Sequence, residues 1–366
     1  MTSQLPTATA TNDPKSVVVY RSGEGDYHTY RIPALIVTGK GTLLAFCEGR
    51  KNGRGDTGEI NTLLRRSSDG GSTWSPVQLV VADGPNTFGN PCPVVDESTG
   101  TIWLALTHNI GDDHESEIKA GTGKGTRTVW ICKSEDDGAT WTKPVEITAS
   151  TKKLEWTWYA TGPGVGIQLR SGRLVIPCDY SLKSEKKEYG SHVIYSDDRG
   201  ATWKLGGEVF PNVNECQIVE LEDGSLMLNM RSYQGRYCRV TAVSMDGGLT
   251  FSEGKPDETL VEPVCQASFL RYTWSDQHGK SRLLFSNPAS IKRNMMTVRM
   301  SYDEGKTWPV TKLIDHRLAA YSCLTVLPDM DIGLLYECGD GDPYETITFT
   351  RFGLDWLTDG KDRIGP

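Results

Sequence analysis

The 366-residue chain carries 39 Lys and Arg against 47 Asp and Glu, a formal net charge of −8, and is 37% hydrophobic and 23% charged. Those proportions belong to a soluble globular protein, long enough for one large domain or two ordinary ones. No uninterrupted apolar run is long enough to span a membrane, and the basic residues are scattered, so neither a membrane span nor a nucleic-acid footprint is expected.

Residues 1–16, opening MTSQLPTATATNDPK, are polar and lack the apolar stretch of a signal peptide. They read as a flexible tail, and the chain as written reads as cytoplasmic; a secreted or periplasmic location requires a leader that is not in it. From residue 17 to 366 no linker-like shift in composition interrupts the chain, which predicts a single domain. Short strand-like runs follow one another: RIPALIVT from Arg31, GTLLAFC from Gly41, TIWLALT from Thr101, GRLVIPC from Gly172, SLMLNMR from Ser225 and RLLFSNP from Arg282. Gly, Asp, Asn and Ser separate them, and no long amphipathic helix intervenes.

Between these runs one turn recurs. SSDGGSTW begins at Ser67, SEDDGATW at Ser134, SDDRGATW at Ser196, SMDGGLTF at Ser244 and SYDEGKTW at Ser301. In S-x-D-x-G-x-T-[WF] the Ser and Asp side chains suit nearby backbone amides, the Gly permits a left-handed backbone, and the aromatic ring starts the next strand. A calcium loop needs more closely spaced oxygen ligands, so the turn reads as scaffold. A repeat of this period with about four strands each predicts an all-β, six-bladed β-propeller, its last blade closed by strands from both ends of the chain.

The nine cysteines are odd in number, form no CxxC pair and sit mostly in apolar stretches, which predicts buried free thiols. The six histidines show no ligand spacing against them, so no metal site is expected. The segment Asn109–Thr126 is charged, glycine-containing and too long for a simple turn; it reads either as a surface excursion or as a lid, Asp112 to Glu117 at its centre.

Arg31, Arg231 and Arg293 stand at or near strand ends in three different repeats. Each suits a structural ion pair, and together they suit a carboxylate gripped by converging guanidiniums. Asp56 lies in the glycine-rich loop CEGRKNGRGDTGEIN, where a carboxyl is either solvated or poised as a general acid. Glu215 precedes a strand, Glu337 sits in the apolar run GLLYEC and calls for an Arg partner, and Tyr321 stands at a strand entrance.

YRIP at Tyr30 together with the repeated turns resembles the exo-α-sialidases, in which the turns are called Asp boxes. FGNPCPVV, WYATGPGVGIQL, LVIPCDY, NECQIVEL, LNMRS and LLYEC extend the resemblance from about Val17 to the end of the chain. The resemblance implies that Arg31, Arg231 and Arg293 bind the sialic acid carboxylate, Arg293 being favoured over Arg299. It makes Tyr321 the nucleophile, Glu215 its base, Asp56 the acid/base and Glu337 the support of Arg31. Arg50 falls near the sugar's 4-hydroxyl, Asn90 near the N-acetyl group, and Asp179 and Tyr180 near the glycerol tail; Trp156, Trp158 and Tyr159 either pack in the core or touch the aglycone. The implied substrates are sialylated oligosaccharides, glycoproteins or glycolipids, with no metal or organic cofactor. No member of the catalytic set is missing, which argues against an inactive homologue. Trans-sialidase or intramolecular trans-sialidase activity uses the same residues, and a non-catalytic sialoglycan-binding propeller is the alternative outside enzymes.

Overall fold

Each strand follows one local rule: an apolar run ends at a turn rich in glycine or Asp, and the next run returns beside it. The computed structural model describes residues 14–183 and 188–364, and among these are 24 strands and four helices of four to six residues. The tail expected over residues 1–16 lies outside the described residues as far as residue 13, and Lys15–Arg21 is a strand. Among the described residues no helix is long and apolar enough to cross a membrane.

The strands form sheets of seven, five, four and eight, antiparallel apart from one parallel contact at Ile60 and Thr87. The eight-stranded sheet is two successive meanders of four, the first running from Thr29–Val37 to Gln78–Val81 and the second from Thr87–Asp96 to Val145–Glu146. In the seven-stranded sheet the long strand Val310–Val326 is shared, pairing with Asn294–Ser301 through its first half and Ile332–Gly339 through its second. Lys15–Arg21 closes that sheet on Thr346–Phe352, with Ser16 opposite Thr350. Closure by both ends of the chain is therefore observed.

The first strand of each meander is buried on both faces, as in Thr29–Val37 and Trp156–Thr161, which is why these strands read as continuous apolar runs. All six inner strands lose register with a neighbour, Ser268–Thr273 between Arg271 and Thr273 and the other five between Arg31 and Ala34, Gly89 and Cys92, Trp156 and Tyr159, Val213 and Cys216, and Ala319 and Ser322. An extra residue in one strand breaks the ladder and re-aims its side chain. The skipped residues include Ile32, Asn90, Trp158, Glu215 and Tyr321, and all five line one cleft.

The repeated turns are scaffold, as their sequence predicts. In the first, the Ser67 hydroxyl donates to Asp69 Oδ1 at 2.8 Å and accepts from the Gly71 amide at 2.9 Å, while Thr73 donates its amide and hydroxyl to Asp69 at 3.0 and 2.6 Å. The same Ser, Gly and Thr bonds recur around Asp136, Asp198, Asp246 and Asp303. The box glycine has positive φ each time, from 76° to 92°. All nine cysteines are free and buried.

Candidate active site

Five of the register breaks open onto a cleft of about 530 Å³. On its floor, the Arg31 guanidinium meets the Glu337 carboxylate side on, Nε to Oε1 at 3.0 Å and Nη2 to Oε2 at 3.2 Å. The amides of Ile32 and Tyr321 donate to the same carboxylate at 2.9 and 3.0 Å. Glu337 thus ties the first inner strand to the last and satisfies its own buried charge.

The Tyr321 ring is the centre of the cluster. Arg31 lies 4.8 Å and Arg293 5.7 Å from its centroid, and Arg231 Nη1 lies 3.3 Å from its hydroxyl. The hydroxyl donates to Glu215 Oε1, and Arg231 Nη1 donates to Glu215 Oε2 at 2.5 Å. The three arginines proposed from separate strand ends are therefore brought together. Burial, then the Glu215 carboxylate, raise the Tyr321 phenol well above its usual range, against the lowering fields of Arg231, Arg31 and Arg293. A phenol held neutral in this way needs a base to act as a nucleophile. Arg31 and Arg231 are each matched by a carboxylate, whereas Arg293 has none within ion-pair distance among the described residues; it donates to Tyr344 Oη at 2.6 Å. Arg299 is absent from the cleft and bonds Asn287 at 3.3 Å.

Asp56 stands on the loop between Leu43–Arg50 and Ile60–Ser67, with its side chain 46% exposed and Oδ1 2.7 Å from Arg50 Nη2. Partial burial pushes its carboxyl up, but Arg50, Arg31 and Arg127 outweigh that and hold it down at about 2.

The sequence profile described as a BNR repeat-like domain matches residues 13–336. The exo-alpha-sialidase of Aspergillus fumigatus is 35% identical over 375 residues, an alignment covering 92% of this chain and 86% of the fungal protein.

The chain belongs to the sialidase family.

The sialidase of Micromonospora viridifaciens is 37% identical across 92% of this chain, but the chain spans only about half, 53%, of that relative's length. Among solved structures, the Hadza microbial sialidase Hz136 superposes with a TM-score of 0.85 at 33% identity, covering 93% of this chain and 69% of that one.

Against the sialidase expectations, two positions require correction. Arg50 is not among the residues lining the cleft: it is buried, donating to Glu48 (2.9 and 2.6 Å) and to the carbonyls of Arg54 and Gly55 (2.5 and 3.0 Å), with Asp56 2.7 Å from its Nη2. Tyr180 also points elsewhere, stacking on Trp156 at 3.8 Å between ring centroids and donating to Glu208 at 2.9 Å. Its neighbour Asp179 does line the cleft, as alternation along a strand requires. Asp179 is buried, its Oδ2 lacks a hydrogen-bond partner among the described residues, and burial followed by the Glu215 charge raises its carboxyl well above the usual range.

Asn90 lines the cleft in a left-handed conformation, φ 50°, with its amide on Glu48 Oε1 at 2.7 Å and its Oδ1 accepting from Thr107 and Arg127. The insert Asn109–Thr126 contains the helix Glu115–Ala120, capped by His114 and by Gly121 at φ 66°, and Glu115 and Lys119 face the cleft. Trp158 reaches the cleft, while Trp156 and Tyr159 pack in the core. Sequence reasoning missed Glu48, Arg127, Tyr189, Tyr233 and Tyr344, which complete the wall. Glu48 carried a signal in CEGR, two residues from Arg50; Arg127 carried none, since the run before it reads as loop.

Proposed function

We propose that the protein is a retaining exo-α-sialidase that hydrolyses terminal α-ketosidically linked sialic acids on oligosaccharides, glycoproteins or glycolipids. The single observation that carries this reading is the Tyr321–Glu215 hydrogen bond set among three guanidiniums. The anomeric carbon of a sialoside bears a carboxylate, which repels a carboxylate nucleophile and is gripped by arginines; a neutral phenol paired with a base avoids that repulsion. Sialidases with a tyrosine nucleophile are a recognised exception to the two-carboxylate glycosidase pattern.

In this reading Arg31, Arg231 and Arg293 hold the substrate carboxylate, with unmatched Arg293 supplying the net positive charge. Glu215 takes the Tyr321 proton as the phenolate oxygen attacks the anomeric carbon and the bond to the aglycone oxygen breaks. Asp56 protonates that oxygen, then accepts a proton from water as the sialyl-tyrosine bond is hydrolysed with overall retention. Asp56 must be protonated for the first step, although Arg50 and Arg31 favour its ionised form. The bound substrate carboxylate offsets the arginine field and raises the proton affinity of Asp56 when the acid is needed. Asn90 and Asp179 contact the sugar substituents. The six four-stranded meanders support a six-bladed propeller, and we read residues 17–366 as one catalytic domain.

The test is release of a fluorogenic aglycone from an α-sialoside by the parent, Tyr321→Phe and Asp56→Ala. Turnover that collapses in Tyr321→Phe with the fold intact supports the reading. An inert parent that still binds free sialic acid overturns it in favour of a lectin.

A further inference from the structure

Arg127 directly follows the insert Asn109–Thr126 and is buried. Its Nε donates to Asn109 Oδ1 at 3.0 Å, and its Nη1 to Asn90 Oδ1 at 2.8 Å and the Tyr159 carbonyl at 3.3 Å. Its Nη2 donates to the Asp56 carbonyl at 3.2 Å, and its guanidinium stacks 3.7 Å from the Trp158 ring centroid. No carboxylate lies within ion-pair distance of it among the described residues, so a buried charge is held by neutral acceptors on four separate segments of chain.

The loop that carries Asp56 is outside the β ladders and depends on such contacts. Arg50 Nη1 holds the carbonyls of Arg54 and Gly55, and Arg127 holds that of Asp56. Three successive carbonyls are therefore each bonded by a guanidinium, two from the loop's own strand and one from the next meander. Arg50 also pins the Asp56 side chain. Among the described residues Arg127 alone hydrogen-bonds the Asp56 backbone to the insert, bonding Asn109 at its start and following Thr126 at its end.

We propose that Arg127 is a positioning residue that fixes the Asp56 backbone over the cleft and makes the placement of the general acid depend on the base of the insert. The inference rests on the reading of Asp56 as the acid. A carboxyl displaced by about 1 Å loses about 100-fold in effectiveness, and that loss falls on the step in which the acid takes part. Protonation of the leaving oxygen matters for a poor leaving group such as a sugar alcohol, and little for an activated phenolate.

The experiment compares kcat/KM, which covers only steps through aglycone departure, on 3′-sialyllactose and on a nitrophenyl α-sialoside. Arg127→Gln and Arg127→Lys are expected to lose about 20-fold more on the lactoside than on the aryl substrate, any loss through Asn90 being common to both. Lysine keeps the charge but not the planar set of donors, so its failure to restore lactoside turnover separates positioning from charge. Asn109→Ala, which loosens the clasp and leaves Arg127 in place, is expected to shift the same ratio by a smaller factor; it decides the matter if the Arg127 variants do not fold. Equal losses on both substrates, or none, overturn the proposal. A parent inert on both overturns instead the sialidase reading on which it stands.

Discussion

Glu337 accepts both forks of the Arg31 guanidinium while wholly shielded from solvent, and two backbone amides from opposite ends of the ring of strands meet the same carboxylate. The pair is at once a clamp on the cleft-facing arginine and a tie between the first and last inner strands. Truncating Glu337 to Ala leaves a buried guanidinium and two amides unmatched. The expected cost is about 3–5 kcal/mol, read as a fall in the denaturation midpoint with an unchanged slope. A weaker affinity for sialic acid should accompany it in whatever fraction stays folded.

Removal of Arg50 is expected to move the pH profile in a stated direction. Arg50 is the strongest of the influences that lower the Asp56 carboxyl to about 2. Without that positive charge the neutral carboxyl is favoured, so the Asp56 pKa rises. The form able to donate a proton then survives to higher pH, and the alkaline limb of kcat/KM for Arg50→Gln should shift upward. An alkaline limb that stays in place would dissociate Arg50 from the acid.

Asp179→Asn should stabilise the protein near neutral pH. An acid whose folded-state pKa is raised opposes folding above its unfolded value of 3.8, because the folded form must keep a proton that the unfolded chain has released. Asn has no such proton. The gain in Tm should be small at about pH 3, grow as pH rises above about 4, and come with weaker substrate binding if Asp179 meets the sugar.

The Asp boxes make the opposite prediction at acid pH. Bonds from the box Thr, Ser and nearby amides hold Asp69, Asp136, Asp198 and Asp246 at about 2. Depressed carboxyls contribute stability that is present above the unfolded pKa and is lost as pH falls through the folded one. Melting temperature should therefore decline between about pH 4 and pH 2, and Asp→Asn changes at several boxes should flatten that decline.

The glycines of the boxes are tested by Gly200→Ala. Its φ is 88°, and an added Cβ would stand 2.1 Å from the Trp103 ring. Left-handed backbone and overpacking together predict a loss of about 3 kcal/mol, measurable by chemical denaturation.

What was legible in the sequence follows the range of the contacts involved. An Asp box is closed by bonds within a few residues, so its chemistry is on view in eight letters, and five copies disclose the period of the fold. Arg31 and Glu337 were also visible, because a charged group in an apolar run needs a partner; Glu215 and Tyr321 were reached only through the family resemblance, since neither position singles itself out by spacing. Tyr180 was misplaced because a one-residue step along a strand reverses the face, and the sequence around PCDYS does not say which face opens onto the cleft. Arg50 was misplaced because its donors are taken by carbonyls of a loop whose path has no local signature. Arg127 was missed altogether: the Asp56 carbonyl it holds lies 71 residues away. The register breaks that aim Asn90, Trp158, Glu215 and Tyr321 are likewise a property of paired strands, invisible in either strand alone.

The closure of Lys15–Arg21 on Thr346–Phe352 carries a consequence for biogenesis. During synthesis the earliest strand emerges with its hydrogen-bonding edge bare and has no lasting partner until more than 300 residues have followed. Tyr20 can meet Tyr30 and the Ala45 carbonyl early, but the backbone edge of its strand waits for Thr346–Phe352. That edge is therefore open to mispairing until Thr346–Phe352 has been made and covers it.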